Sequence, residues 1–328
     1  MGGSSPPAGV VAPPAGDAHR VLLGTRPGPS GHQVEIRWAD QRATIVEVGG
    51  GIRSYQVGGR PVLDPYPPEA MCDGARGAPL IPWPNRLADG RYGFDGLEHQ
   101  LDISEPEKHN AIHGLLRWRG WRVLRQSEAR VTMGIWLFPM PGYPFCLDVE
   151  VDYALDDDGL TATTTAVNRG EQVCPYGAGQ HPYLSPGAGL IDEATLSLKA
   201  ATRILTDPER QLPVGTEATA GTLYDFTAPR LIGTQRLDFA FTDLTRDADG
   251  RAWARLGGTD GRYAELWVDE AYPIIELFTG DTLEPHRRRR GLGTEPMTCP
   301  PNAFQSGERM IRLEPGQAVA TTWGARLR

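Results

Sequence analysis

Apolar side chains in this chain recur at every second position, and Asp-Gly pairs interrupt them; this pattern leaves little room for helices. Val34, Ile36 and Trp38 alternate, and Thr44, Val46 and Val48 follow on one face, the spacing of strands half buried against a core. Leu147, Val149, Val151 and Tyr153 repeat the pattern, and the threonine-rich stretch from Leu160 to Val167 resumes it after Asp158-Gly159, which predicts a hairpin. Ala264 to Val268, Ile274 to Thr279, Met310 to Leu313 and Ala318 to Trp323 read as further strands. Asp-Gly pairs also stand at Asp73-Gly74, Asp89-Gly90, Asp95-Gly96, Asp249-Gly250 and Asp260-Gly261, where they supply the positive φ of tight turns. The expected fold class is all-β.

No polar linker or composition break interrupts residues 20 to 328, and no fixed repeat is visible. One large antiparallel β-sandwich over 19–328 is therefore the simplest architecture. Residues 1–18 mix Gly, Pro, Ser and Ala with almost no charge, the composition of a flexible tail. A net charge of -8 gives no broad footprint for a phosphate backbone, so nucleic acid is not an expected partner. Arg287 to Arg290 is the one basic patch, read as a solvated loop or as a lure for an anion. Four cysteines (Cys72, Cys146, Cys174, Cys299) stand far apart without C-x-x-C spacing, no apolar run reaches membrane length, and the N-terminus lacks a secretory pattern. The expectation is a soluble cytoplasmic protein with no membrane partner. G-x-G-x-x-G, P-loop and G-x-S-x-G motifs are missing, which argues against dinucleotide, nucleotide and serine-hydrolase chemistry.

Four segments concentrate polar groups among Gly, Pro and aromatics. In Ile81-Pro-Trp-Pro-Asn-Arg-Leu87, two prolines stiffen the chain before Asn85 and Arg86, so the guanidinium is presented to a hydroxyl pair, a carboxylate or a phosphate, or forms a loop salt bridge. In His109-Asn-Ala-Ile-His113-Gly, two histidines stand four apart, but the glutamate of H-E-x-x-H is missing and Gly114 follows; a ligand-facing His113 competes with a core histidine. In Tyr176-Gly-Ala-Gly-Gln-His181-Pro-Tyr-Leu184, small residues clear space before an imidazole on a stiff turn, a setting that suits a proton donor. Glu295 in Gly291-Leu-Gly-Thr-Glu-Pro-Met-Thr-Cys-Pro-Pro-Asn-Ala-Phe304 and Asp238 among aromatics are carboxylates that burial would penalise unless they are paired or used. Trp83 and Trp267 are candidates for a flat face against a sugar ring.

Taken in order, Asn85-Arg86, Asn110-Ala-Ile-His113-Gly, Gly179-Gln-His181-Pro-Tyr-Leu, Asp238 with Phe241-Thr, Thr279-Gly-Asp281 and Glu295-Pro-Met-Thr-Cys-Pro-Pro-Asn-Ala-Phe304 resemble the aldose 1-epimerase (galactose mutarotase) family from about residue 30 onward. The resemblance implies a large antiparallel β-sandwich with an open sugar cleft, no cofactor and no metal. It implies Glu295 as general base, His181 as general acid, His113 assisting at the ring oxygen, and Arg86, Asn85 and Asp238 binding the sugar. The Arg287 to Arg290 run and the Pro-rich tail depart from the family's usual pattern.

The activity expected is therefore an isomerase interconverting the anomers of a free aldohexose such as glucose or galactose, with a small monosaccharide as its ligand. A hexose 6-phosphate mutarotase, a non-catalytic sugar-binding protein of the same fold, and a glycosidase using Asp238 and Glu295 are the competing readings. The sequence carries no marker of oligomeric state.

Overall fold

A computed structural model of the chain describes residues 28–328; the tail expected over residues 1–18 lies outside the described residues. The strands collect into two large antiparallel sheets. One has twelve strands, with the path Gln33–Trp38, Gln41–Val46, Ile52–Val57, Arg60–Leu63, Tyr183–Leu184, Leu292–Met297, Ile274–Phe278, Asp238–Leu244, Ala200–Thr206 and Pro213–Ala218; the short Gly179–Gln180 and Pro79–Leu80 pairings flank it. The other has nine and is centred on Leu147–Asp156, Gly159–Asn168, Ala318–Leu327 and Tyr263–Val268. The one α-helix among the described residues is Ala303–Ser306. No helix there is long and apolar enough to cross a membrane, and all four cysteines are free thiols.

Alternation produces this layering directly. In Leu147–Asp156 the side chains of Leu147, Val149, Val151, Tyr153 and Leu155 are buried and the intervening ones are only partly so, each inward side chain contributing on the order of 1.5–3 kcal/mol. The predicted hairpin is present, in register from Leu147↔Asn168 to Asp156↔Gly159. Residues of both sheets join one continuous apolar core, so the two sheets form a sandwich.

Local expectations fail in three places. Thr44, Val46 and Val48 do not share a clean face, because a register shift between Thr44 and Ile45 buries Ala43, Thr44, Ile45 and Val46 in succession. Asp89-Gly90 makes a left-handed turn but joins strands of two different two-stranded sheets, so it closes no hairpin. The arginine run is not simply solvated. Arg287 reaches Asp64 at 3.4 Å and Asp73 at 3.3 Å, and Arg289 reaches Asp192 at 2.7 Å and Asp281 at 3.0 Å, while Arg288 and Arg290 point outward.

One polar residue bridges the sheets and sets the site. Gln180 is fully buried; its amide donates to the Tyr153 hydroxyl at 3.0 Å and accepts from the Trp323 indole at 3.0 Å, both on the nine-stranded sheet. Since successive side chains of an extended chain point to opposite faces, anchoring Gln180 inward turns His181 outward.

Candidate active site

Asn85 and Arg86 lie at the start of the Arg86–Ala88 strand, which pairs with Asn110–Ile112. Asn85 adopts a left-handed conformation, φ 56°, a state asparagine tolerates better than most residues. Its backbone N–H donates to His113 Nδ1 at 3.1 Å, and its carbonyl accepts the His113 N–H at 3.0 Å. His113, at φ 62°, is thereby clamped by backbone on both sides. Because Nδ1 accepts, the ring carries its proton on Nε2, and His113 offers the cleft a neutral N–H donor. Burial first, then the charges of His181, Arg117 and Arg86, hold its pKa well below the usual value.

Arg86 forms a fork with Glu105, its Nε at 2.9 Å and Nη2 at 3.0 Å from the carboxylate oxygens. Its Nη2 also lies 3.9 Å from Asp238 Oδ2. The guanidinium is therefore held rigidly between an anchoring carboxylate and one that faces the cleft.

His181 and Glu295 meet in the middle. Glu295 stands on Leu292–Met297, and its Oε1 lies 3.1 Å from His181 Nε2, both side chains being nearly inaccessible. The imidazole stacks on the Tyr183 ring at 5.0 Å with an 11° tilt, and the Arg76 guanidinium also lies over that ring, 4.0 Å from its centroid. The His113 ring stands edge-on to His181 at 5.2 Å. Burial, reinforced by the charges of Arg76 and Arg117, lowers the His181 pKa to about 3. Burial, reinforced by Asp238 and only partly offset by Arg86, raises that of Glu295 well above the carboxylate range. Both shifts favour the uncharged forms, a carboxylic acid beside a neutral imidazole, over an ion pair. His181 Nδ1 and Glu295 Oε2 are buried without a protein partner.

All six residues expected from the sequence converge: Asn85, Arg86, His113, His181, Asp238 and Glu295 line one cleft of roughly 380 Å³, within the size range of a small-molecule site. His109, the other histidine of its segment, lies outside in an exposed hydrogen bond with Asp89 at 2.9 Å, so the two histidines do not act together. Trp83 is buried against Phe304 and Trp267 lies buried under Arg251; neither presents a face to a ligand, whereas Phe278 does line the cleft.

Three residues went unnoticed in the sequence: Arg117 and Glu105 on the cleft wall, and Glu276, the direct cross-strand partner of Glu295. A signal for the last existed, since Glu276 is the one charge in the apolar run Ile274-Ile-Glu-Leu-Phe278. His113, His181 and Glu295 also bring ligand-type atoms within 4.8 Å of one another. They do not suit a cation: coordination through His113 Nε2 requires a proton on Nδ1, which would then face the Asn85 N–H donor.

Comparison with known proteins places this geometry in a family. The family model for aldose 1-epimerase matches residues 32–323. The chain is 35% identical over 295 residues to the protein YihR of Escherichia coli (strain K12), covering 88% of this chain and 91% of that one. It is 26% identical over 288 residues to the aldose 1-epimerase of the same organism, covering 77% and 81%. The crystal structure of a GalM/aldose epimerase homologue from C. elegans superposes with a TM-score of 0.80 at 17% identity, covering 90% of this chain and 98% of that one. With its cleft assembled from the same motifs that the family model spans from end to end, the chain belongs to the aldose 1-epimerase family.

Proposed function

We propose that the protein catalyses mutarotation of a free aldohexose such as glucose or galactose, without cofactor or metal. The observation that carries this reading is the 3.1 Å contact between His181 and Glu295. The hydroxyl and ring oxygens of a hemiacetal share one carbon, so an acid and a base one hydrogen bond apart reach both. The resting pair holds one exchangeable proton, on Glu295. Passing it to His181 creates a carboxylate and an imidazolium. Glu295 then removes the anomeric O–H proton while His181 protonates the ring oxygen. The ring opens to an aldehyde, the terminal bond rotates, and closure with reversed roles returns the other anomer. His113 Nε2–H supports the ring oxygen, Arg86 and Asp238 hold hydroxyls, and Asn85 acts through the backbone clamp that orients His113.

Polarimetry on freshly dissolved α-D-glucose and α-D-galactose tests this. The protein is expected to accelerate the approach to anomeric equilibrium, and Glu295→Gln to lose about 100-fold or more of the acceleration while calorimetric sugar binding persists. A spontaneous rate for every aldose tried overturns the assignment.

A second reading, mutarotation of a hexose 6-phosphate, is favoured by Arg117. This residue lines the cleft with no carboxylate partner among the described residues, and its charge acts on both imidazoles. Carbon 6 is attached next to the ring oxygen, so a phosphate there would lie on the imidazole side. The same assay on glucose 6-phosphate, with Arg117→Ala slowing that substrate alone, would make this the better description.

A further inference from the structure

Glu276 lies behind the cleft floor. Its strand, Ile274–Phe278, runs between Asp238–Leu244 and Leu292–Met297 in the twelve-stranded sheet. The register sets Ala240, Glu276 and Glu295 in one row and Asp238 and Phe278 in the next but one, so Asp238, Glu276 and Glu295 share a face. Ile275 and Leu277, on the other face, belong to the sandwich core. Below the acids, Ile274, Met297, Ala240 and Ile204 form a small apolar cluster that keeps water from that side. Glu276 is only 3% exposed, and its Oε2, like that of Glu295, has no hydrogen-bond partner.

Charges directly opposite across two strands repel, and the groups facing Glu276 offer little relief. From the flanking strands these are Asp238 and Glu295; from Arg86–Ala88 it is Arg86, already committed to Glu105. His181 adds no charge while it is neutral. Asp238 shares that face one strand over, where its Oδ2 already accepts from the Gln211 amide; facing carboxyls this deep are accommodated by leaving one of them protonated.

We infer that Glu276 is a permanently protonated positioning residue: a neutral carboxylic acid that spares Glu295 the field of a buried neighbouring charge. The role, though not the proton, rests on the mutarotase reading. An ionised Glu276 would hold the Glu295 proton too firmly to pass it to His181. Burial first, then the charge of Asp238, raises the Glu276 pKa against the opposing charge of Arg86, in agreement with the geometry.

The test is thermal stability against pH for the full chain and for Glu276→Gln, whose amide cannot titrate. A group whose folded pKa is raised contributes stability that is complete below its unfolded pKa and is lost as pH rises. The wild type should therefore fall behind E276Q, with the Tm gap widening by about 3 to 6 °C between about pH 5 and pH 8. A gap that stays constant, or narrows as pH rises, overturns the inference. Infrared spectroscopy supplies a readout that needs no variant at position 276. The carbonyl band of a protonated carboxyl should be present at neutral pH and persist in Glu295→Gln; its absence from E295Q also overturns the inference. Neither measurement uses sugar turnover, so failure of the mutarotase reading would show up separately, in the polarimeter.

Discussion

At the scale of single residues, one ring nitrogen decides what His113 can do. An imidazole that accepts a backbone N–H at Nδ1 and lies edge-on to a second ring at 5.2 Å is held as a donor at Nε2, and protonation would set two N–H groups against each other. Nitrogen-15 NMR of the sugar-free protein at about pH 5.5 should therefore show His113 and His181 both neutral, although an unperturbed imidazole is mostly charged there. An imidazolium signal from His113 at that pH would mean that the Asn85 clamp does not hold. The sequence singled out His113 over His109 through Gly114 and the family motif, but not the reason the two part company, which is distant in the chain: Asn85 clamps one, while Asp89 takes the other outward. Glu276 escaped notice for the converse reason. Its chemistry comes entirely from strands on either side of it, and a lone glutamate in an apolar run looks the same whether its neighbours are leucines or acids.

At the scale of elements, strands were legible wherever one face met the core and the other met solvent. The Leu147–Asp156 and Gly159–Asn168 hairpin agrees with its alternation and its turn, since a slip of one residue would turn every apolar side chain outward. Where both faces are covered, as in Leu292–Met297 with every residue buried, alternation disappears and the strand cannot be told from a loop by pattern. Asp-Gly pairs likewise reveal a turn without revealing the partner, as Asp89-Gly90 shows. The loop carrying His113 is set by a close approach of backbones: Gly114 bridges Ile81, and a Cβ on Gly114 would come within 2.1 Å of the Ile81 carbonyl oxygen at a φ of +70°. Gly114→Ala should therefore cost about 2–4 kcal/mol of stability in urea denaturation and weaken sugar binding as His113 shifts. A variant within about 0.5 kcal/mol of wild type would show that the loop can yield at no cost.

At the scale of the whole molecule, the acidic balance of the chain turns the arginine run from a surface feature into a fastening. Arg289 gathers carboxylates from two separate segments, Asp192 and Asp281, and the carbonyls of Gly233 and Gln235, with its side chain only 12% exposed. Arg288, its neighbour, reaches only the carbonyl of Leu283 at 2.7 Å from an exposed position. The sequence showed four like charges in a row and could not show that alternate members face inward, since their acidic partners lie as far away as Asp64. The same segment carries Thr282 and Leu283 of the cleft wall, so the fastening holds one side of the site. Arg289→Ala leaves Asp192 without its cation and Asp281 with only the exposed Arg236 guanidinium, 3.8 Å away. Because Asp192 is 35% exposed and water screens part of the loss, the expected cost is about 2 kcal/mol, against about 0.5 kcal/mol or less for Arg288→Ala. Sugar affinity should fall with the first substitution and not with the second. Equal effects from the two, in denaturation and in calorimetric binding, would return the run to a solvated loop and separate the wall of the cleft from the ion pairs beneath it.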